Sequence, residues 1–157
     1  VSKEGITVRE AGLGDLQELA AIFDLYRIFY GQEPDVEGAA AFLFERMEHR
    51  QSVILIAEDV EQGRIAGFTQ LYPVFSSISM KRAYILNDLY VREEYRRQGT
   101  ARLLLEAAKR FAKLARAKGL SLSTAVTNVR AQQLYEQSGY VRDEQFIHYD
   151  FTSLDMD

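Results

Sequence analysis

Arg96, Gly99 and Ala101, spaced Arg-x-x-Gly-x-Ala, have the residue types and order needed to hold a phosphate. They lie in Asn87-Asp88-Leu89-Tyr90-Val91-Arg92-Glu93-Glu94-Tyr95-Arg96-Arg97-Gln98-Gly99-Thr100-Ala101, which reads as a strand, a basic turn and a helix opening near Thr100. Glu93, Glu94, Arg96, Arg97 and Gln98 are poor core residues and separate an apolar strand from an apolar-periodic helix. The first N–H groups of a helix have no intrahelical acceptor, and the helix dipole adds to their attraction for an anion. Gly99 lets the backbone come close, while Arg96 and Arg97 add positive charge. The chemistry expected of this loop is pyrophosphate binding; as an isolated pattern it also describes an ordinary solvated helix start.

A second constellation follows in order. Asn128-Val129-Arg130-Ala131-Gln132-Gln133-Leu134-Tyr135-Glu136-Gln137-Ser138-Gly139-Tyr140 reads as a short capped helix ended by glycine. Together the two patterns resemble the GNAT superfamily of N-acetyltransferases. The first matches that family's Gln/Arg-x-x-Gly-x-Gly/Ala loop, and the second its Asn-x-x-Ala-x-x-Leu/Phe-Tyr-x-x-x-Gly-Phe/Tyr run. The resemblance covers nearly the whole chain and is strongest from Asn87 to Tyr140.

The resemblance implies acetyl-CoA as cosubstrate. Leu89, Tyr90 and Val91 would offer main-chain groups to the pantetheine arm, with an N–H near Leu89 polarising the thioester carbonyl. Arg96, Arg97, Gln98, Gly99, Thr100, Ala101 and Arg102 would surround the pyrophosphate, and Asn128, Val129, Arg130 and Ala131 would border the cofactor's other side. Tyr135 matches the tyrosine that protonates the leaving thiolate in many members, a role open to a phenol of ordinary pKa near 10. A core-packed helix tyrosine is the competing reading.

Asn87 to Val91 looks similar to the Glu-Asp-hydrophobic-aromatic-Val segment of the diamine/polyamine (spermidine/spermine) acetyltransferase subgroup. This chain has Asn87 where the subgroup has its glutamate, and an amide cannot act as a base. Asp88 remains to orient a water, bind the ammonium or hold structure. Tyr26 and Tyr30, one helical turn apart, are candidates to line the amine site together with Asn87, core or rim packing being their plainer role. His49 and His148 are too isolated for a metal site, so no metal is expected, and no Walker loop, zinc spacing or Gly-x-Ser-x-Gly elbow occurs.

The elements that must position these residues follow from periodicity. Ile6–Arg9 alternates as a first strand; Asp15 with Glu18 opens a helix to about Tyr30, stopped by Gly31 and Pro34; a second helix spans about Asp35 to His49. Ser52–Ala57 and Ile65–Tyr72 form a hairpin, Pro73–Met80 a loop, and Ala83–Val91 the central strand. A helix from Thr100 to about Lys118, closed by Gly119, puts Leu104, Ala108, Phe111 and Ala115 on one face. Leu120–Ala125 is the next strand, and Val141–Phe151 adds one or two more after the Asn128–Ser138 helix. The expected fold is α/β and GNAT-like: a central mixed sheet of about six or seven strands flanked by about four helices, splayed at the cofactor site.

Composition bounds the rest. A chain of 157 residues, 47% hydrophobic, suits a single domain spanning 1–157. No apolar run would cross a membrane, and the N-terminal residues carry no secretory core. The absence of cysteine excludes disulfides and a thiol nucleophile, and fits the cytoplasm. The net charge of −4 hides an asymmetry: Lys81 to Lys118 holds eleven Lys and Arg against four Asp and Glu, and the remainder eight against nineteen. The basic segment suits an anionic cofactor, the acidic remainder a cationic substrate; overall charge and the lack of interleaved aromatics exclude nucleic acid.

The expected function is therefore transfer of acetyl from acetyl-CoA to a primary amine of a small molecule (polyamine, diamine, amino acid or related) by direct attack. The alternatives are a protein lysine or N-terminal acetyltransferase and a non-catalytic acyl-CoA-binding sensor, the latter disfavoured by Tyr135. Similar proteins commonly pair as homodimers through their final strands.

Overall fold

The computed structural model describes residues 5–153, which fall into two compact units, one running to Ser123 and one from Thr124. The first unit holds a five-stranded sheet in the order β1 (Ile6–Glu10), β2 (Val53–Asp59), β3 (Arg64–Ser76), β4 (Lys81–Val91), β5 (Leu120–Ser121). The first four strands pair antiparallel, and β5 joins β4 in parallel after the helix α3 (Thr100–Leu114). Helices α1 (Leu16–Phe29) and α2 (Val36–Glu48) precede β2.

Residue parity along β3 assigns the two faces of the sheet. Phe68 packs with Leu19, Ile22 and Phe23 of α1, Leu43 of α2, and Ile54 and Ile56 of β2, so from Phe68 onward the even-numbered β3 residues face α1 and α2, while a bulge at Ala66 puts Ile65 on the same face. Gly67 faces the other way: a Cβ there would stand 3.3 Å from Leu104 Cδ1 of α3 and 2.8 Å from the Tyr90 carbonyl oxygen. A glycine at 67 is what lets α3 and β4 come this close.

Local chemistry sets the helix ends. Asp35 caps α2, its carboxylate accepting the Gly38 N–H at 2.9 Å. Gly31, at φ 87°, ends α1 as expected, with the Gln32 N–H returning to the Arg27 carbonyl. Asp15 precedes α1 but its carboxylate does not cap the helix; it takes a two-pronged bond from Arg9 at 2.8 Å on each arm.

Four expectations are corrected. The described residues form five strands, not six or seven, and none is assigned in 141–153. The strand expected over Leu120–Ala125 shrinks to Leu120–Ser121. The helix α3 stops at Leu114 rather than near Lys118, because Arg116 takes the left-handed turn (φ 55°) and the Ala117 N–H reaches back to the Ala112 carbonyl. Gly119 instead feeds β5, its carbonyl accepting the Tyr84 N–H. The loop expected at Pro73–Met80 begins only after Ser76: β3 runs through Pro73, whose missing N–H points away from β4 toward the side where β2 has already ended at the Val53–Leu71 pair.

The second unit holds α4 (Val129–Gln137). Its cap is the expected one, with Asn128 Oδ1 accepting the Ala131 N–H at 3.1 Å. Its end is a left-handed glycine turn: Gly139 has φ 92°, the Tyr140 N–H bonds the Tyr135 carbonyl at 3.0 Å, and the two rings sit edge to face. Among the described residues, no helix is long and apolar enough to cross a membrane.

Candidate active site

The central feature is a bulge in β4. Gln70 pairs with Asp88 but Leu71 with Leu86, so Asn87 is the extra residue, and the strand bends there. Beside the bulge, β5 pairs with β4 only at Tyr84 and Ile85, and among the described residues no strand covers that edge from Leu86 to Val91. The ladder register turns the peptide groups of Leu89 and Val91 away from β3, toward this uncovered edge. The expected splay at the central strand takes this form.

On the face toward α1, the bulge presents a buried carboxylate. Asp88 is 5% exposed, and Gln70, itself fully buried, donates from Nε2 to its Oδ2 at 2.7 Å. Asn87 donates from Nδ2 to the other oxygen at 3.2 Å, and the Tyr26 phenol interacts electrostatically with the carboxyl. Burial, followed by this interaction, pushes the Tyr26 phenol well above its ordinary value. Burial and the charge of Asp88 raise Tyr72 to about 12, opposed by Arg46. Both phenols are therefore neutral hydrogen-bonding groups at physiological pH. Among the described residues, no Lys or Arg pairs with Asp88, so its donors are all neutral.

Aromatic rings frame the carboxylate. Tyr26 meets Tyr30 at 5.2 Å, Phe68 at 5.7 Å and Tyr90 at 6.0 Å between centroids. Tyr30 is largely exposed at the end of α1, next to Phe29, which approaches Tyr90 at 6.3 Å. A buried carboxylate amid electron-rich rings is suited to an ammonium group.

The loop after β4 is basic and left-handed. Arg96 and Arg97 are exposed, and Arg97 (φ 62°) and Gly99 (φ 81°) both lie in the left-handed region. Gly99 stands at the N-cap of α3 without a side chain to cap it, so the N–H groups of Thr100 and Ala101 start the helix without intrahelical acceptors. Left-handed positions before a helix start shape a backbone concavity of the kind that can take an anion. Arg96 also makes contacts within the protein. Its Nε bonds the Val91 carbonyl at 2.9 Å, and its guanidinium lies 5.3 Å over the Tyr90 ring and 5.7 Å over Phe29. It joins the loop before α3 to the aromatic frame. The Thr100 hydroxyl is turned inward, onto the Tyr95 carbonyl.

In the second unit, Asn128 caps α4 and Ala131 supplies the capped N–H; Val129 and Arg130 are exposed, and Tyr135 is partly buried against Tyr140. His49 and His148 are both exposed, each beside one carboxylate. Among the described residues, no group of three or more His, Cys, Asp or Glu is arranged to hold a metal ion.

The structure thus gathers Tyr26, Tyr30, Asn87, Asp88, Tyr90 and Arg96 around one bulge. The sequence reading missed Gln70, Tyr72 and Phe29. A glutamine and a tyrosine alternating with Phe68 in an otherwise apolar strand were the available signal.

This is the fold of acetyltransferases. A crystal structure of a probable acetyltransferase superimposes with a TM-score of 0.90 and 43% sequence identity, covering 93% of this chain and 97% of that one. The chain belongs to the acetyltransferase (GNAT) family, whose model matches residues 19–140, and it is an acetyl-transferring enzyme. It is 51% identical over 144 residues to an uncharacterized N-acetyltransferase of Bacillus subtilis (strain 168), covering 92% of this chain and 95% of that one. A shorter match, 37% identical over 76 residues, is to an L-ornithine N5-acetyltransferase of Arabidopsis thaliana, covering 48% of this chain and 33% of that one.

Proposed function

We propose that the enzyme transfers acetyl from acetyl-CoA to the primary amine of a small cationic molecule (a diamine, polyamine or diamino acid) by direct attack. The observation that carries this reading is Asp88, a buried carboxylate held by neutral donors and framed by Tyr26 and Tyr90. Burying a carboxylate without a counter-charge is costly, and a substrate ammonium would supply that charge. The relative named an L-ornithine N5-acetyltransferase supports an amine of this class.

Acetyl-CoA supplies the activated acyl group as a thioester. The residues present fit it: the left-handed loop and uncapped start of α3 suit its pyrophosphate, and the outward peptide of Leu89 suits the thioester carbonyl. Asp88 binds the incoming ammonium and takes its proton, directly or through water. The amine nitrogen then forms the new C–N bond as the C–S bond breaks; Tyr135, the acid by resemblance to the family, gives its proton to the departing sulfur and is restored by the second proton that leaves the acylated nitrogen. Asn87, in place of the polyamine subgroup's glutamate, acts as a hydrogen-bond donor to Asp88 rather than as a base.

The test is thiol release from acetyl-CoA against polyamines, diamines, amino acids, aminoglycosides and a lysine-rich peptide. Saturable turnover with one class of small amine is expected. Turnover with the peptide alone would overturn the small-molecule reading in favour of a protein acceptor.

A further inference from the structure

Tyr95 is out of character with its surroundings. It sits among Glu93, Glu94, Arg96 and Arg97, all exposed, yet it is only 4% exposed itself. Its hydroxyl donates to Asp59 Oδ2 at 2.6 Å, across 36 residues of sequence. Asp59, the last residue of β2, is equally buried, and its other oxygen accepts the Gln62 N–H in the β2–β3 turn at 3.2 Å. One carboxylate therefore ties the hairpin turn to the loop that opens α3. At the other side of the same residue, the Tyr95 carbonyl accepts the Thr100 hydroxyl at 3.3 Å.

Between these two anchors lie the two left-handed positions, Arg97 and Gly99. A non-glycine residue there persists only where its surroundings hold it. Other ties also reach this loop: Arg96 Nε bonds the Val91 carbonyl at 2.9 Å, and Arg64–Glu94 at 3.1 Å and Gln98 Nε2 to the Glu94 carbonyl at 3.2 Å are exposed. A short, buried bond from a hydroxyl to a carboxylate is the strong member of the set. An anion-binding loop gains affinity when its N–H groups are fixed before the anion arrives.

We propose that Asp59 and Tyr95 form a latch that positions the 96–101 loop for the acetyl-CoA pyrophosphate, making both of them positioning residues for the cosubstrate. This rests on the acetyl-CoA reading of that loop.

The test is calorimetric titration of CoA into folded wild type, Tyr95→Phe, Asp59→Asn and the double variant. Leu43→Ala, in the α1–α2 core, is the control for lost stability without a change at the loop. Each latch variant is expected to weaken CoA binding about tenfold, the scale of one hydrogen bond to a charged group. The double variant should be little worse than either single one. Leu43→Ala should lower the melting temperature yet leave CoA affinity unchanged, and in turnover the latch variants should raise KM for acetyl-CoA more than they lower kcat. Wild-type CoA affinity in both latch variants would overturn the latch alone. If wild type itself failed to bind CoA, or Gly99→Glu bound it as well as wild type, the cofactor-loop reading would fall and the latch with it.

Discussion

Gln70 Nε2 donates to Asp88 Oδ2 at 2.7 Å, and both side chains are buried on the α1 face of the sheet. An amide facing a carboxylate has its orientation set, since only its NH2 group can make the bond. Gln70 thus fixes the carboxylate from below, while Asn87 and Tyr26 approach from the sides. The arrangement holds a negative charge ready without neutralising it.

Asp88→Asn should keep the fold while losing the charge and one of the two acceptor oxygens. Saturation kinetics with the preferred amine should show kcat/KM lower by about a hundredfold or more, the scale of a lost acid–base group. CoA affinity by calorimetry should stay at the wild-type value, because the carboxylate is not part of the loop before α3. Wild-type kinetics in Asp88→Asn would remove this carboxylate from amine recognition.

Tyr135→Phe tests the proposed acid. The Tyr135 ring packs on Tyr140, and its carbonyl, not its hydroxyl, receives the bond that ends α4. Loss of the hydroxyl should therefore leave the helix end intact while cutting turnover roughly 10- to 1,000-fold. Unchanged turnover, measured under saturating acetyl-CoA, would leave Tyr135 with a packing role alone.

The features that were legible in the sequence are those written locally. The Asn128 cap, the Gly139 turn and the Arg96–Ala101 loop each depend on residues within one helical turn, so their spacing carries them. Asp88 was legible as a residue but its partners were not, because Gln70 meets it only through the β3–β4 register and its bulge at Asn87. Pro73 looked like a strand breaker because nothing local reveals that β2 ends opposite Leu71. Arg116 ends α3 in a conformation usually left to glycine, so Gly119 drew the boundary too late. Tyr95 looked like one more loop residue, since its burial depends on an aspartate 36 positions earlier.

Gly67→Ala tests the close packing of β3, β4 and α3. The new Cβ would meet the Tyr90 carbonyl oxygen at 2.8 Å, a main-chain atom that cannot swing aside, with Val91 Cγ2 at 3.2 Å behind it. Overpacking of this kind costs about 1–3 kcal/mol. For a chain of this size, that lowers the melting temperature by roughly 2–12 °C. Thermal denaturation at wild-type stability would show that the strands separate more easily than the geometry implies.

The tyrosines around the buried carboxylates give the enzyme a distinct alkaline behaviour. Burial and then the interaction with Asp88 raise Tyr26; burial and the Asp88 charge raise Tyr72 to about 12; the bond to Asp59, with burial, raises Tyr95. In the unfolded chain all three ionise near pH 10. The folded state holds their protons longer, so their contribution to stability is complete below pH 10 and drains away as pH climbs toward the folded values. Absorbance at 295 nm followed together with far-UV circular dichroism should show a group of tyrosines, Tyr26, Tyr72 and Tyr95 among them, ionising late, well above pH 10. In Asp88→Asn, the late group should shift to lower pH, because the charge opposing ionisation of Tyr72 is gone. A single titration of every tyrosine near pH 10, with the dichroism unchanged, would contradict the burial of these phenols around Asp88 and Asp59.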